Sequence, residues 1–349
     1  MTIQSQVRLS FDSPSASGTP PARQLSAAVR IGGTLIVAGD EGGDLEVLGG
    51  RGNRWTQVAR VSLHDIVNLP AGRDVEVDIE GLAVQDDWLW VVGSHSLKRR
   101  KPRGNSPERA FSSMQTLVRD ANRFLLARIP LERQKSGHMR PVAKAGGRRP
   151  AMVEAGKRSS VLTSWLAEDP LLSPFVSLAS KENGLDIEGI AVGDGDVWLG
   201  LRGPVLRGHA IILRFDLRAN KRDILKAKKT DGTRRFRKYL LPLDGLGLRD
   251  LESDGRDLLL LTGPTMSADG PSRIVRWRGA LASKGSAVVA GSDLALEHDL
   301  SDGKPTDNPE AICRWTKDGV LVLYDRPDRA RLSNDDNTYT ADVVLCPVR

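Results

Sequence analysis

The stretch Asp186-Ile-Glu-Gly-Ile-Ala191 decides the fold, because the chain carries a near copy of it upstream, Asp78-Ile-Glu-Gly-Leu-Ala83. Looser copies stand at Gln24-Leu-Ser-Ala-Ala-Val29, Asp250-Leu-Glu-Ser-Asp254 and Asn308-Pro-Glu-Ala-Ile-Cys313. Each copy leads through a short polar turn into an apolar run, at residues 34–38, 88–92, 197–201, 258–261 and 320–324. A second apolar or alternating run follows in each case, at 44–48, 124–129, 210–215, 273–277 and 341–345. Runs of this length bounded by Gly, Asp and Pro read as β-strands.

The third residue of each unit is Ser26, Glu80, Glu188, Glu252 and Glu310, at intervals of 54, 108, 64 and 58. Periods near fifty, each holding several short strands, are those of propeller blades, whereas a helical solenoid would show apolar spacing of about 3.6. The expected fold is therefore all-β, a single domain over residues 1–349 forming a five-bladed β-propeller, with six blades as the alternative. The 108-residue interval is read as one blade carrying insertions. Ser106-Pro107-Glu108 starts a helix, and Ala110, Phe111, Met114, Leu117 and Val118 recur at helical spacing. A second helix is expected from Ser160 to the stop at Pro170, and residues 133–158, rich in Gly, Pro and basic side chains, read as an exposed loop. Together these make residues 97–180 a partly helical insertion in the second blade, which could overhang the channel mouth. The last blade lacks a fourth strand before the chain ends. Gln6-Val-Arg-Leu-Ser-Phe11 alternates and could supply it, removing the open edges of the ring.

If the first strand of each blade lines the axis, Glu80, Glu188, Glu252 and Glu310 converge, since alternate residues share a face. Clustered carboxylates raise each other's pKa, so a compensating charge is needed. Oxygen-only ligation would suit Ca²⁺ or Mg²⁺. Arg202, Arg207 and Arg249 flank the same motifs and could neutralise the glutamates instead, and a cationic ligand is the third possibility. Lys181, Glu182 and Asn183 precede the Glu188 strand, and Tyr324 and Arg326 follow a strand end, so with Arg202, Arg249 and His95 they form the candidate ligand-binding set. Lys181 and Arg326 could hold an anionic group.

Other chemistries lack their signatures. Ser94-His95-Ser96 places neighbours on alternate faces, which prevents a Ser-His pair, and no G-x-S-x-G elbow, P-loop or G-x-G-x-x-G is present. The net charge of +7 sits in two segments: residues 218–238 hold ten Lys and Arg against Asp223 and Asp231, and residues 98–109 hold six against Glu108. The rest of the chain is acidic and the segments have no stacking series, which disfavours nucleic acid as a partner. Two cysteines, Cys313 and Cys346, make no disulfide framework or zinc site. No apolar stretch reaches membrane length and the start lacks a signal-like run, so a cytoplasmic, membrane-free protein is expected.

The units at 78–83 and 186–191, with Ser94-His95-Ser96, Ser180-Lys-Glu-Asn-Gly184, Leu201-Arg-Gly-Pro204 and Asn308-Pro-Glu310, resemble an uncharacterised bacterial family catalogued only as a domain of unknown function. The Asp-x-Glu-Gly unit is also similar to repeats of phytase-like and esterase-like propellers. That resemblance implies Glu80, Glu188, Glu252 and Glu310 as metal or channel carboxylates, although Ser26 and Ser253 depart from the pattern. The leading expectation is a metal-assisted hydrolase of phosphoesters or carboxylic esters, with Glu188 or Glu80 as catalytic base and Lys181, Arg202 or Arg326 steadying the anion. Its rival is a non-catalytic propeller binding a peptide or small molecule at the channel mouth.

Overall fold

The computed structural model of the chain describes residues 3–12, 18–230, 234–266, 270–300 and 307–348; residues 231–233 of the basic segment and parts of the chain start lie outside these. The fold is all-β. Four strands, Leu25–Ile31, Thr34–Gly39, Asp44–Arg51 and Arg54–Ser62, run as an antiparallel meander. The pattern recurs in Ile79–Gln85, Trp88–Gly93, Leu126–Arg133 and Met139–Pro141. It recurs again in Asp186–Gly193, Asp196–Leu206, His209–Phe215 and Arg237–Pro242. Gly247–Asp254, Asp257–Gly263, Arg273–Trp277 and Leu294–Asp299 form the next meander. Asn308–Thr316, Gly319–Asp325 and Thr338–Leu345 complete the series.

Two-residue turns join the first and second strands, and Gly32 (φ 55°), Asp86 (φ 53°), Asp194 (φ 52°) and Gly255 (φ 66°) supply the left-handed backbone that such hairpins need. The N-terminal strand Ile3–Ser10 pairs antiparallel with Thr338–Leu345, setting Val7 opposite Ala341 and Leu9 opposite Tyr339. It also pairs in parallel with Arg54–Ser62, so the first and last meanders form one eight-stranded sheet rather than two separate ones. The first strands touch in cyclic order: Leu25–Ile31 with Ile79–Gln85, then Asp186–Gly193, Gly247–Asp254, Asn308–Thr316, and back to Leu25–Ile31.

The core lies between neighbouring meanders. Ala27, Ile36 and Val47 of the first pack on Ile79, Leu89 and Ala127 of the second. Ala191 and Ile212 pack on Leu251 and Leu260. The seam between the last and first meanders holds Leu25, Val37, Ile312, Val322 and Tyr339. Residues buried on both faces of each meander explain why the inner strands read as apolar runs.

The helix expected after Ser106 spans Pro107–Met114, capped by Ser106, but Leu117–Val118 leaves it as a two-residue strand on Lys98–Arg99. The second spans Val161–Ala167, started by a capping box of Ser160 and Thr163. The segment 133–158 is not all loop. Met139–Pro141 forms the outer strand of its meander, because Met139 and Pro141 alternate inward and are buried.

Candidate functional site

The first strands share one irregularity. Their pairing passes from Leu25 to Ala27, Ile79 to Gly81, Ile187 to Gly189, Leu248 to Asp250 and Pro309 to Ala311. Ser26, Glu80, Glu188, Arg249 and Glu310 are thus each skipped by the ladder. A residue left out in this way bends the strand and re-aims its side chain. The fourth equivalent is Arg249 and not Glu252, and the last two intervals become 61 and 61.

That change of register decides the electrostatics. Arg249 Nη1 lies 3.2 Å from Glu188 Oε2 and 2.7 Å from Glu310 Oε1, joining the glutamates of both its neighbours, while its Nη2 donates to Pro264 O at 3.0 Å. Arg202 pairs with Asp186 and, at 2.7 Å, with Glu188 Oε1. Burial alone would lower the pKa of both guanidiniums, but their carboxylate partners raise it, so both stay charged. Arg123, 2% exposed, pairs with Glu76 and Asp78 at 2.8 Å each and donates to Ser96 Oγ at 2.9 Å. Ser26 Oγ donates to Ile79 O at 2.6 Å, so the fifth position closes the circle with a neutral bond.

Carboxylates nevertheless exceed the partners available. Glu80 has no ion pair or side-chain hydrogen bond among the described residues. Burial pushes its pKa well above the usual carboxylate range, and the charges of Asp78, Glu188 and Asp186 push the same way. Burial likewise raises Asp78 to about 7, Glu310 to about 8 and Asp186 to about 6, against the opposing pull of their arginines.

Two further carboxylates belong to this cluster and were missed in the sequence. Asp40 is pushed up to about 7 by burial and by Asp325 and Asp78, and Asp325 is raised by burial and by Glu188. Both follow the residue that pairs just before the skipped position, as does Arg202: Leu25 opposes Gly39, Ile187 opposes Leu201 and Pro309 opposes Tyr324. The sequence signal was the charged residue just past the apolar runs 34–38, 197–201 and 320–324.

Above the carboxylates stands a rim of cations. Lys181 has no carboxylate partner among the described residues, and its pKa is lowered by burial and by the charges of Arg202, Arg326, Lys101 and Arg249. Arg326 is mostly exposed, its nearest carboxylate being Asp325 at 3.6 Å.

The remaining candidates are placed elsewhere or engaged. Glu252 lies three residues beyond the skipped position, where burial pushes it up to about 8, and its charged neighbours are Arg314 and Asp254. It belongs to a different layer from Glu80, Glu188 and Glu310, which corrects the expected quartet. Glu182 pairs outward with Arg99. The Asn183 amide is consumed by the backbone of Val205, at 2.8 and 3.2 Å. The Tyr324 hydroxyl donates to Asp342 at 2.9 Å, behind the inner strands. Arg207 occupies a turn with φ 48°. His95 is buried beside Phe124, their ring centroids 5.9 Å apart.

Among the described residues no group of three or more His, Cys, Asp or Glu side chains is arranged to hold a metal ion. Guanidinium groups stand where a cation would neutralise Glu188 and Glu310, so this donor set does not fit a bound Ca²⁺ or Mg²⁺.

Solved structures with a related outline include glutaminyl cyclase of Myxococcus xanthus, 9% identical at TM-score 0.41, with 98% of this chain and 97% of that chain covered. The PQQ-bound aldose sugar dehydrogenase of Streptomyces coelicolor is 10% identical at TM-score 0.41, covering 98% of both chains. The exo-beta-1,3-galactanase of Phanerochaete chrysosporium is 9% identical at TM-score 0.42, covering 98% of this chain and 64% of that chain. At these TM-scores none carries an argument about activity. No curated protein sequence matches the chain. Among the described residues no helix is long and apolar enough to cross a membrane. A family model matches residues 24–342, and the chain thereby belongs to the family described as proteins of unknown function, DUF3616.

Proposed function

We propose that the chain is a five-bladed β-propeller whose axial mouth binds a small polar molecule bearing both an anionic group and a hydrogen-bond donor. The cyclic contact of five inner strands supports five blades over six, since the long second interval contains one four-stranded meander plus insertions. The observation that carries the binding reading is the mismatch between two layers. Among the described residues Lys181 has no carboxylate partner and Glu80 no ion pair, only the weaker pull of the Arg202 charge. A ligand anion over Lys181 and Arg326, with a donor or cationic group reaching Glu80, satisfies both at once.

Oppositely perturbed titratable groups, Glu80 raised and Lys181 lowered, also favour a second reading, acid–base catalysis on an ester. There water would add to the carbonyl carbon or phosphorus while a protonated Glu80 gives its proton to the leaving oxygen and takes back the proton the water loses, and Lys181 steadies the acyl or phosphoryl anion. Metal-assisted hydrolysis has less support, because Arg202 and Arg249 already occupy Glu188 and Glu310.

A thermal-shift screen with amino acids, phosphomonoesters, inorganic phosphate and CaCl₂ separates these readings. Stabilisation by an anionic probe that Lys181→Gln and Glu80→Gln each abolish is the expected result. Stabilisation by CaCl₂ alone, dependent on Glu80, would overturn it in favour of the metal. Turnover on an ester panel that Glu80→Gln removes would establish the catalytic form.

A further inference from the structure

A cleft of about 900 Å³ opens where three parts of the chain meet: residues 66–68 after the first meander, residues 143–164 after the outer strand of the second, and a hairpin of the third. The hairpin pairs Leu217–Ala219 with Leu225–Ala227, and its turn is held by the Asn220 side-chain oxygen, which accepts from Arg222 N at 2.8 Å and Ile224 N at 3.1 Å. Met152 N donates to Asp223 O at 3.3 Å and so ties two walls of the cleft together. The loop beyond Met152 is closed by its own backbone, Gly156 N donating to Ser159 O at 2.9 Å and Val161 N to Glu154 O at 2.8 Å. The walls are thus set by bonds internal to the chain. None of the lining residues belongs to the axial cluster.

Two basic segments meet in this cleft. Residues 140–158 hold six Lys and Arg against Glu154, and the hairpin carries part of the basic segment 218–238. Lys144, Arg149 and Arg222 stand exposed on the lining, and among the described residues none of their side chains has an ion pair or hydrogen bond. Arg149 contrasts with its neighbour Arg148, which is spent on Asp87 and on Leu131 O. Of the two carboxylates on the lining, Glu154 pairs with Lys226, and Asp223 has Arg128 as a charged neighbour. Three unpaired cations therefore outweigh the carboxylates. One such exposed charge attracts little, but several contacted by one extended ligand add up.

The lining also carries an apolar surface. Ile66, Met152, Val161 and Ile224 are each half-buried there, so part of every one of these side chains stays open to water. No aromatic side chain lines the cleft among the described residues, which leaves nucleic-acid bases nothing to stack on. A small inorganic anion would answer the cations and leave the aliphatic surface wet. A peptide that alternates carboxylate and aliphatic side chains answers both, and the volume lies toward the upper end of the range for ligand clefts.

We propose that this cleft is a docking site for an acidic peptide segment of a partner protein, its carboxylates on Lys144, Arg149 and Arg222 and its aliphatic side chains on Met152 and Ile224. The proposal does not depend on the reading of the axial mouth.

The test is fluorescence anisotropy of a labelled peptide alternating Glu and Leu, titrated with the full-length protein. The same peptide with Gln in place of Glu, a polyglutamate of equal charge and an oligothymidylate of equal charge are the comparisons. Saturable binding of the Glu–Leu peptide, weakening as NaCl is raised and weaker for all three comparisons, is the expected result. The double variant Arg149→Gln/Arg222→Gln alters exposed side chains without partners, so the fold stays intact, and it should lower the affinity about tenfold. Absence of saturable binding, or an affinity unchanged in the double variant, would overturn the proposal. Polyglutamate or oligothymidylate bound as tightly as the Glu–Leu peptide would overturn it too, in favour of a general polyanion surface.

Discussion

Glu80 and Arg249 occupy equivalent places in their strands yet face opposite electrostatic problems. Glu80 is a carboxyl with a raised pKa, so the folded state keeps its proton at pH values where the unfolded chain has lost it. Its favourable contribution is complete below the ordinary value near 4.5 and fades as pH climbs toward the folded value. Glu80→Gln should therefore leave stability unchanged near pH 4.5 and raise it at about pH 8. Urea unfolding at the two pH values measures this, and equal effects at both would refute it. Arg249 has the converse role. Arg249→Met strands Glu188 and Glu310 without their shared cation, and a loss of about 3–5 kcal/mol is expected. Converting both glutamates to Gln in the same protein should recover most of that loss, because a neutral cluster needs no cation.

At the scale of the strand, the recurring skipped residue sets where the site is, and a small residue after it sets how close the strands come. A Cβ on Gly189 would lie 2.9 Å from the backbone carbon of Asp250 and the nitrogen of Leu251 in the adjoining inner strand. Backbone cannot yield as a side-chain end can. Gly189→Ala should cost about 1–3 kcal/mol and loosen the Arg249 bridge, measurable as a lower unfolding midpoint together with a weakened anion response. In the next strand the place of that glycine is taken by Asp250, whose carboxylate accepts from Ile312 N at 2.8 Å and so ties two inner strands together. This explains why the repeat was misread there: Asp250-Leu-Glu252 mimics Asp-Ile-Glu while standing three residues out of phase, and only the register exposes it.

At the scale of the molecule, the N-terminal strand closes the ring. Ile3–Ser10 bonds on both edges, and Trp55 and Trp315 meet near that seam at 4.9 Å, with Arg30 4.4 Å above the Trp315 ring. Deleting residues 1–11 should expose both Thr338–Leu345 and Arg54–Ser62 as open edges. The expected outcome is a lower, less cooperative thermal transition accompanied by concentration-dependent association in light scattering. A truncated chain that melts like the intact one and stays monomeric would show that closure does not depend on this strand.

The repeat, the all-β class, the closing strand and the starts of both helices were legible in the sequence, because each rests on local pattern: apolar runs, two-residue turns, a capping serine. So were the equivalent places of Glu80, Glu188 and Glu310 in their units. What only the tertiary structure decided was which charge answers which. Ladder register, not spacing, put Arg249 among the glutamates and Glu252 beyond them. Residues far apart in the chain, Asp40 and Asp325 with Asp78 and Glu188, became one electrostatic group when the inner strands were brought side by side. Strand formation is set by neighbours in sequence, whereas the pKa of a buried carboxyl is set by neighbours in space.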